Sequence, residues 1–395
     1  MQYFTFTRRR LAAAVAAGMV CAAALIPVAC LAGPAAATAG TGPSAAGTGA
    51  ARVPASFQPV SASFQSAARG FVLGAAGCRQ VRACPARLAA TTDAGAHWRF
   101  TGAPDVRLFN ATGNTLVQAS RVRGVVFASR RTGWLYGPGL WATHDGGATW
   151  RRIFLGGDVV PAQGGGVVAM AAAAGTAYAV VAPDPFHGKP AELYASPAGQ
   201  DAWARVGTMT GDPSRAALAM AGKAAWFGTS TGLWATADGV HWHQDPAPCP
   251  ASDIGGLGSI AAASPSQVVF LCLGDGAAGS MGKDVLRSSD GGKTVRLAGQ
   301  APLAGSGGML AVPPQRSTVI TLATSSGASF LDHSADGGQT WTTTTYPDGG
   351  LPWNSLAYVT QAVGWVVVDG RPLDNGSNQL LRTADAGRSW HTIRF

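Results

Sequence analysis

One eight-residue pattern governs what this chain can become: Thr or Ser, any residue, Asp, any residue, Gly, two of any kind, Trp. It fits Thr91/Asp93/Gly95/Trp98, Thr143/Asp145/Gly147/Trp150, Ser334/Asp336/Gly338/Trp341 and Thr383/Asp385/Gly387/Trp390. Three degenerate copies lie between these. Thr236/Asp238/Gly239/Trp242 is one residue short, Ser288/Asp290/Gly292 ends in Val295, and Ser196 to Trp203 has Ala198 where Asp belongs. Aligned on the last position the copies stand at 98, 150, 203, 242, 295, 341 and 390, a spacing of 39 to 53 residues. A repeat of this length is one supersecondary unit that buries its apolar face only by stacking on its neighbours.

Before most copies the sequence reads as short apolar strands separated by turns. The second repeat runs "GVVFAS", "GWLYG", "LWATHD", "TWRRI" and the last runs "SLAYVT", "GWVVV", "LLRTAD", "SWHTIRF". Four strands per unit and seven units predict an all-β chain, a seven-bladed β-propeller of four-stranded antiparallel blades over residues 57–395. With 54 Gly, 24 Pro and 12% charged residues, the composition suits short strands and turns better than long helices.

The repeated stretch reads as a hairpin device. An Asp side chain accepts bonds from backbone N–H groups one or two residues on, and the hydroxyl two positions earlier adds its own. Gly takes positive φ at little cost, and the Trp opens the outer strand and wedges between blades. By this reading Asp93, Asp145, Asp238, Asp290, Asp336 and Asp385, with Trp98, Trp150, Trp203, Trp242, Trp341 and Trp390, are structural. Calcium binding is the alternative, but each copy supplies one carboxylate at a different place on the ring.

The pattern resembles the Asp-box (BNR) repeat of the sialidase-like superfamily, and its "GW…T.DGG.TW" form is similar to the photosystem II assembly and stability factor family. The sialidase resemblance implies an early Arg-Ile-Pro motif, an arginine triad, a Tyr nucleophile partnered by Glu, and an acidic proton donor. Arg-Ile-Pro is missing, and Glu192 is the only glutamate. Arg107, Arg215, Arg316 and Arg371 fall near inter-strand loops, and Asp105, Asp184, Asp212 and Asp348 lie outside the repeated turns. A catalytic set is therefore not expected.

The N-terminus has a different character. Arg8, Arg9 and Arg10 precede an apolar run over residues 11–29, followed by small residues, which reads as a secretory signal over 1–39 cleaved after Ala37 or Ala39. "TRRRL" is similar to a twin-arginine signal or is an ordinary positive n-region; "PVAC", ending at Cys30, invites a lipoprotein reading against which Pro27 counts; an uncleaved anchor is the remaining option. Residues 40–56, rich in Gly, Ala, Ser and Pro, read as a flexible linker, with folding expected from Phe57. Removing the three arginines takes the formal charge from +9 to +6, carried by scattered basic residues that do not suggest a nucleic-acid groove.

Four cysteines remain after the signal, and in an exported chain they favour disulfides, paired by proximity as Cys78–Cys84 and Cys249–Cys272. No metal or cofactor is implied, and "HWHQ" reads as a surface pair, His241 and His243. The binding candidates are the longer loops: "PDPFHGKP" with Asp184, His187 and Lys189, Arg215 in the next link, and "YPDGGLPWN" with Tyr346, Asp348, Trp353 and Asn354. Exposed aromatics beside polar groups suit peptide or glycan. The expectation is a secreted, monomeric, non-catalytic scaffold binding protein at the cell envelope; the alternative is a carbohydrate-active propeller, a glycan-binding module or a divergent sialidase-like hydrolase.

Overall fold

A computed structural model describes residues 51–77, 84–108, 122–155, 166–182, 189–211, 216–250, 255–346, 350–368 and 378–395. Twenty-eight strands form seven four-stranded antiparallel sheets, each built from consecutive strands, and there are no helices among the described residues. Blade 1 spans 58–101, blade 2 124–153, blade 3 166–209, blade 4 217–245, blade 5 256–300, blade 6 306–346 and blade 7 353–393. The innermost strand of each blade touches that of the next, and the innermost strands of blades 7 and 1 close the ring. The expected seven-bladed propeller is the fold.

Second strands such as Gly70–Ala75 and Gly364–Val368 are buried along their whole length, whereas the outermost Thr342–Tyr346 is almost entirely exposed. Each apolar core therefore lies between two blades, as in the cluster that joins Leu73 and Leu88 of blade 1 to Phe127 and Leu135 of blade 2. Hydroxyls stitch the inner ring: Ser61 Oγ accepts from Val125 N (3.1 Å), Ser63 Oγ from Phe127 N (2.9 Å) and Ser259 Oγ from Leu310 N (3.1 Å).

Strand reversal gives the ring two distinct ends. The first-to-second and third-to-fourth turns lie at one, the turn end; the second-to-third hairpins and the links between blades lie at the other, the link end. The ring also starts earlier than Phe57. Val53 is 2% exposed, and residues 51–53 add to the outer edge of blade 1, with Phe100 N donating to Ala51 O (2.9 Å) and Val53 N to Trp98 O. Val53 joins Phe57, Trp98 and Trp365 in the core that closes the ring, so apolar burial holds the last residues of the expected linker.

Candidate functional site

The five full-length acidic turns have one geometry. In blade 2, Thr143 Oγ1 donates to Asp145 Oδ1 (2.8 Å) and accepts from Gly147 N (2.9 Å). The carboxylate does not reach the N–H one or two residues on, as the sequence suggested. It reaches four residues on, where Thr149 N donates to Oδ1 (2.9 Å) and Thr149 Oγ1 to Oδ2 (2.5 Å). Thr294, Thr340 and Ser389 repeat this, and His97 does so with a ring nitrogen (2.6 Å). The short turn of blade 4 keeps the expected bond, Val240 N donating to Asp238 Oδ1 two residues back (2.8 Å), and its His241 ring nitrogen meets Oδ2 from three residues on (2.6 Å). The residue before each Trp or Val295 is thus Thr, Ser or His in six copies, a signal visible in the sequence and not read from it. Gly147 sits at φ +90°, and a Cβ there would come within 2.8 Å of Thr101 on blade 1.

These bonds hold the carboxylates in their charged form. Backbone and ring donors from His97 draw Asp93 down to about 2, Thr294 does the same for Asp290, and for Asp385 the donors of Ser389 outweigh burial, again to about 2. Thr149, His241 and Thr340 pull Asp145, Asp238 and Asp336 down further. Both oxygens are occupied by the turn itself, and no group of three metal-ligating side chains occurs among the described residues.

The Trp of each turn seats against the preceding blade. Trp150 Nε1 donates to Gly102 O on blade 1 (3.0 Å), Trp203 meets Trp134 edge-on at 6.1 Å, and Trp242 meets Tyr178 at 5.4 Å. Trp341 and Trp390 pack in the cores shared with blades 5 and 6, and Trp98 in the core that closes the ring. Where a turn lacks its Asp or its Trp, another group joins the blades. Blade 3 lacks the acid at Ala198, and its Asp201 carboxylate, fully buried, instead takes His144 Nε2 and Arg151 Nη2 of blade 2 (2.8 Å each). Burial opposes its charge, but those donors hold it below the ordinary value. Blade 5 has Val295 for Trp, and the Cys249–Cys272 disulfide, Cα–Cα 5.5 Å, ties it to the link that leaves blade 4. Cys84 is buried, and Cys78 lies outside the described residues.

The loop residues chosen from sequence do not assemble into a described site. Asp184, His187, Arg215 and Asp348 lie outside the described residues, as do Arg371 and Asp212. Lys189 is exposed at the link end of blade 3. Trp353 is not an exposed contact residue: it is 7% exposed, donates Nε1 to Thr324 O (2.8 Å) and meets Tyr346 edge-on at 5.6 Å in the core between blades 6 and 7. Asn354, next to it, pairs with Val367 inside the sheet. Trp353 buries more apolar area packed between the blades than it would on an exposed loop.

Glu192 does accept a bond from a tyrosine, Tyr194 OH at 2.8 Å, with Arg205 Nη1 at 3.0 Å. Burial and this carboxylate push Tyr194 up to about 12, the opposite of what activates a phenol as a nucleophile. Arg107 stands in a link and Arg316 in a first-to-second turn, at opposite ends of the ring. His241 is engaged with Asp238 in its turn, while His243 pairs with Asp245 at 3.2 Å in the strand, so the two do not act as a pair. Lys283, buried, donates Nζ to the carbonyls of Met281, Leu303, Ala304 and Gly305 at 2.9–3.1 Å; burial draws it down to about 8 and pushes Asp332 of blade 6 up to about 6.

What remains as a site is the channel. The seven innermost strands carry no Asp, Glu, Lys, Arg or His. Where blades 7, 1, 2 and 3 meet they leave a recess of about 250 Å³ lined by Phe64, Val126, Tyr136, Met170, Ala357 and Tyr358, among others. Tyr358 OH shares a 2.6 Å bond with Thr321 Oγ1, and burial raises its pKa and that of Tyr136. The lining side chains carry no formal charge, being methyl groups and rings with a few hydroxyls, and the buried Arg123 lies near the Tyr136 phenol behind them.

No family model and no curated protein matches the chain. Among solved structures, YCF48 bound to D1 peptide is similar over 85% of this chain and 94% of its own, at 17% identity and a TM-score of 0.52. YCF48 from Cyanidioschyzon merolae is similar over 85% and 99%, at 14% identity and 0.52. A polysaccharide lyase, the PL25 ulvan lyase, is similar over 82% and 92%, at 11% identity and 0.51. At such identities the likeness is one of fold.

Proposed function

We propose that the chain is an exported, non-catalytic scaffold whose channel takes up part of a protein partner, and that its acidic turns are Asp-box repeats. The neutral recess carries this reading. A wall without acid, base or imidazole offers nothing to move a proton, whereas rings, methyl groups and hydroxyls suit an apolar side chain of an inserted segment. The similar YCF48 propeller, solved with D1 peptide, lends the reading support as a use of this fold. Export is supported by the Cys249–Cys272 disulfide, which persists in oxidising compartments, and by the arginine-led apolar N-terminus.

The test is cross-linking of the full chain to its host's envelope fraction, with and without Ala357→Arg, which puts a cation into the recess from an exposed inner-strand position. The expected result is one reproducible protein partner, lost in the variant while its melting temperature is kept. Capture of glycans alone, or of a protein indifferent to Ala357→Arg, overturns the reading.

A further inference from the structure

The positive charge is not scattered around the ring. Residues 51–165, which hold blades 1 and 2, carry thirteen arginines, no lysine and four aspartates, a formal +9, whereas residues 166–395 carry thirteen Lys+Arg against sixteen Asp+Glu, a formal −3. The even spread suggested by the whole-chain count therefore holds only for blades 3 to 7.

Within this sector Arg52, Arg69, Arg99, Arg130, Arg131, Arg151 and Arg152 stand on the outer edge or at the turn end, whereas Arg87, Arg107 and Arg123 lie toward the link end. Arg52 stands directly across from Arg99, and like charges so placed repel. Arg99 pairs with Ala90, which packs in the core shared by blades 1 and 2, so Arg52 and Arg99 project on the side of blade 1 that faces blade 2. On blade 2, Arg152 pairs with Trp141 of that same core, and its guanidinium lies 5.6 Å from the Trp141 ring and 4.8 Å from Phe154. Phe154 is 77% exposed. Arg69, Arg130 and Arg131 stand at the first-to-second turns of the two blades. Arg52, Arg69, Arg99, Arg130 and Arg131 have no ion pair among the described residues, and the nearby carboxylates of Asp93 and Asp145 are taken up by their own turns. The rim thus gathers guanidinium groups that the ring itself does not neutralise, beside an exposed aromatic.

We propose that the outer rim of blades 1 and 2 docks on an anionic phospholipid surface, the arginines taking the phosphodiester headgroups and Phe154 entering the headgroup layer. Guanidinium forks match phosphate oxygens two at a time, and an anionic leaflet attracts clustered cations within a Debye length. The sequence favours a bilayer over a soluble polyanion. The apolar run 11–29 is separated from Arg52 by 22 residues of sequence, so blade 1 is the part of the ring next in sequence to a segment suited to a bilayer, whether that segment acts as a signal or as an anchor. The proposal is independent of what enters the channel.

Co-sedimentation of the full chain with phosphatidylcholine vesicles, and with vesicles that also contain phosphatidylglycerol, tests it. The apolar run and Arg8, Arg9 and Arg10 are the same in every variant, so the change in the ratio of the two affinities from parent to variant reads the rim. The expected ratio is at least about tenfold in favour of the anionic vesicles at low salt, collapsing at high salt. It falls toward one in Arg130→Glu/Arg131→Glu and in Arg99→Glu, drops in part in Phe154→Ser, and is kept by Arg296→Glu/Arg388→Glu on blades 5 and 7, with melting temperatures confirming that each variant is folded. A ratio near one for the parent chain, or one kept by the blade 1 and 2 variants, overturns the proposal. So does displacement from the vesicles by poly-glutamate or polyphosphate at matched charge, which would assign the rim to an acidic polypeptide or a free phosphate polymer.

Discussion

The third-to-fourth turns of blades 2 and 3 occupy equivalent places and are held in unlike ways. In blade 2 the carboxylate of Asp145 closes its own turn and the following Trp150 reaches back to Gly102 of blade 1. In blade 3 the acid position is Ala198, and the carboxylate comes from Asp201, which ignores its own turn and binds His144 and Arg151 of the blade before. Blade 5 makes a third case, with a complete acid but no Trp, and a disulfide to the link that leaves blade 4 in its place. The ring requires a joint between each pair of blades; the repeated turn is the commonest way to make one, and the two repeats that lack its Asp or its Trp are joined by other chemistry, while the shortened turn of blade 4 keeps its Trp242 on Tyr178.

If that is right, breaking the joints should cost more than breaking the turns. Trp150→Ala removes an indole that packs against blade 1 and should lower unfolding free energy by about 3–5 kcal/mol in denaturant titrations. An equal loss in Trp150→Phe and Trp150→Ala would point to the bond to Gly102, not the packing, as the joint. Reducing Cys249–Cys272, or replacing both residues by Ser, should cost about 2–4 kcal/mol, and the effect should shrink if Trp is placed at Val295 and fills the same interface. Asp201→Asn should cost about 2 kcal/mol by weakening charge-assisted bonds to His144 and Arg151. A loss confined to blade 3 by hydrogen exchange, with blade 2 unaffected, would break the account of Asp201 as a joint.

The turns themselves are read best with pH. Asp93, Asp290 and Asp385 are held near 2 against an ordinary 3.8, so their contribution is complete above pH 3.8 and is lost as pH falls from there through about 2. Melting temperature should drop across that window, and less so in a chain with these acids changed to Asn. The smallest expected effect is a gain. Ala94 and Ala386 adopt φ of +62° and +63°, where four other turns have Gly, and Ala386→Gly should raise stability by about 0.5–1 kcal/mol.

Much of this was legible before any coordinates. The repeat spacing set the number of blades, the alternation set four strands in each, and the position before each Trp carried the second half of the acid's hydrogen bonding in plain sight as His97, Thr149, His241, Thr294, Thr340 and Ser389. The candidate site was far less so. Trp353 looked like a loop aromatic because two glycines and a proline precede it, but burial is decided by what packs against a residue, and that is Thr324 and Tyr346, supplied by the neighbouring blade. The reach of Asp201 back to His144 crosses more than fifty residues of chain, and no local pattern announces it.

Periodic short-range features, then, were settled by the sequence alone: strand length, turn chemistry, repeat number and the concentration of arginine in the first two blades. Everything that depends on one blade meeting the next was decided by the tertiary structure, including the neutral channel, the substitute joints and the rim where Arg52 faces Arg99. The physical reason is range. A turn is closed by bonds within five residues, whereas a channel or a rim is made by groups brought together only when apolar burial drives seven separate sheets to share their cores.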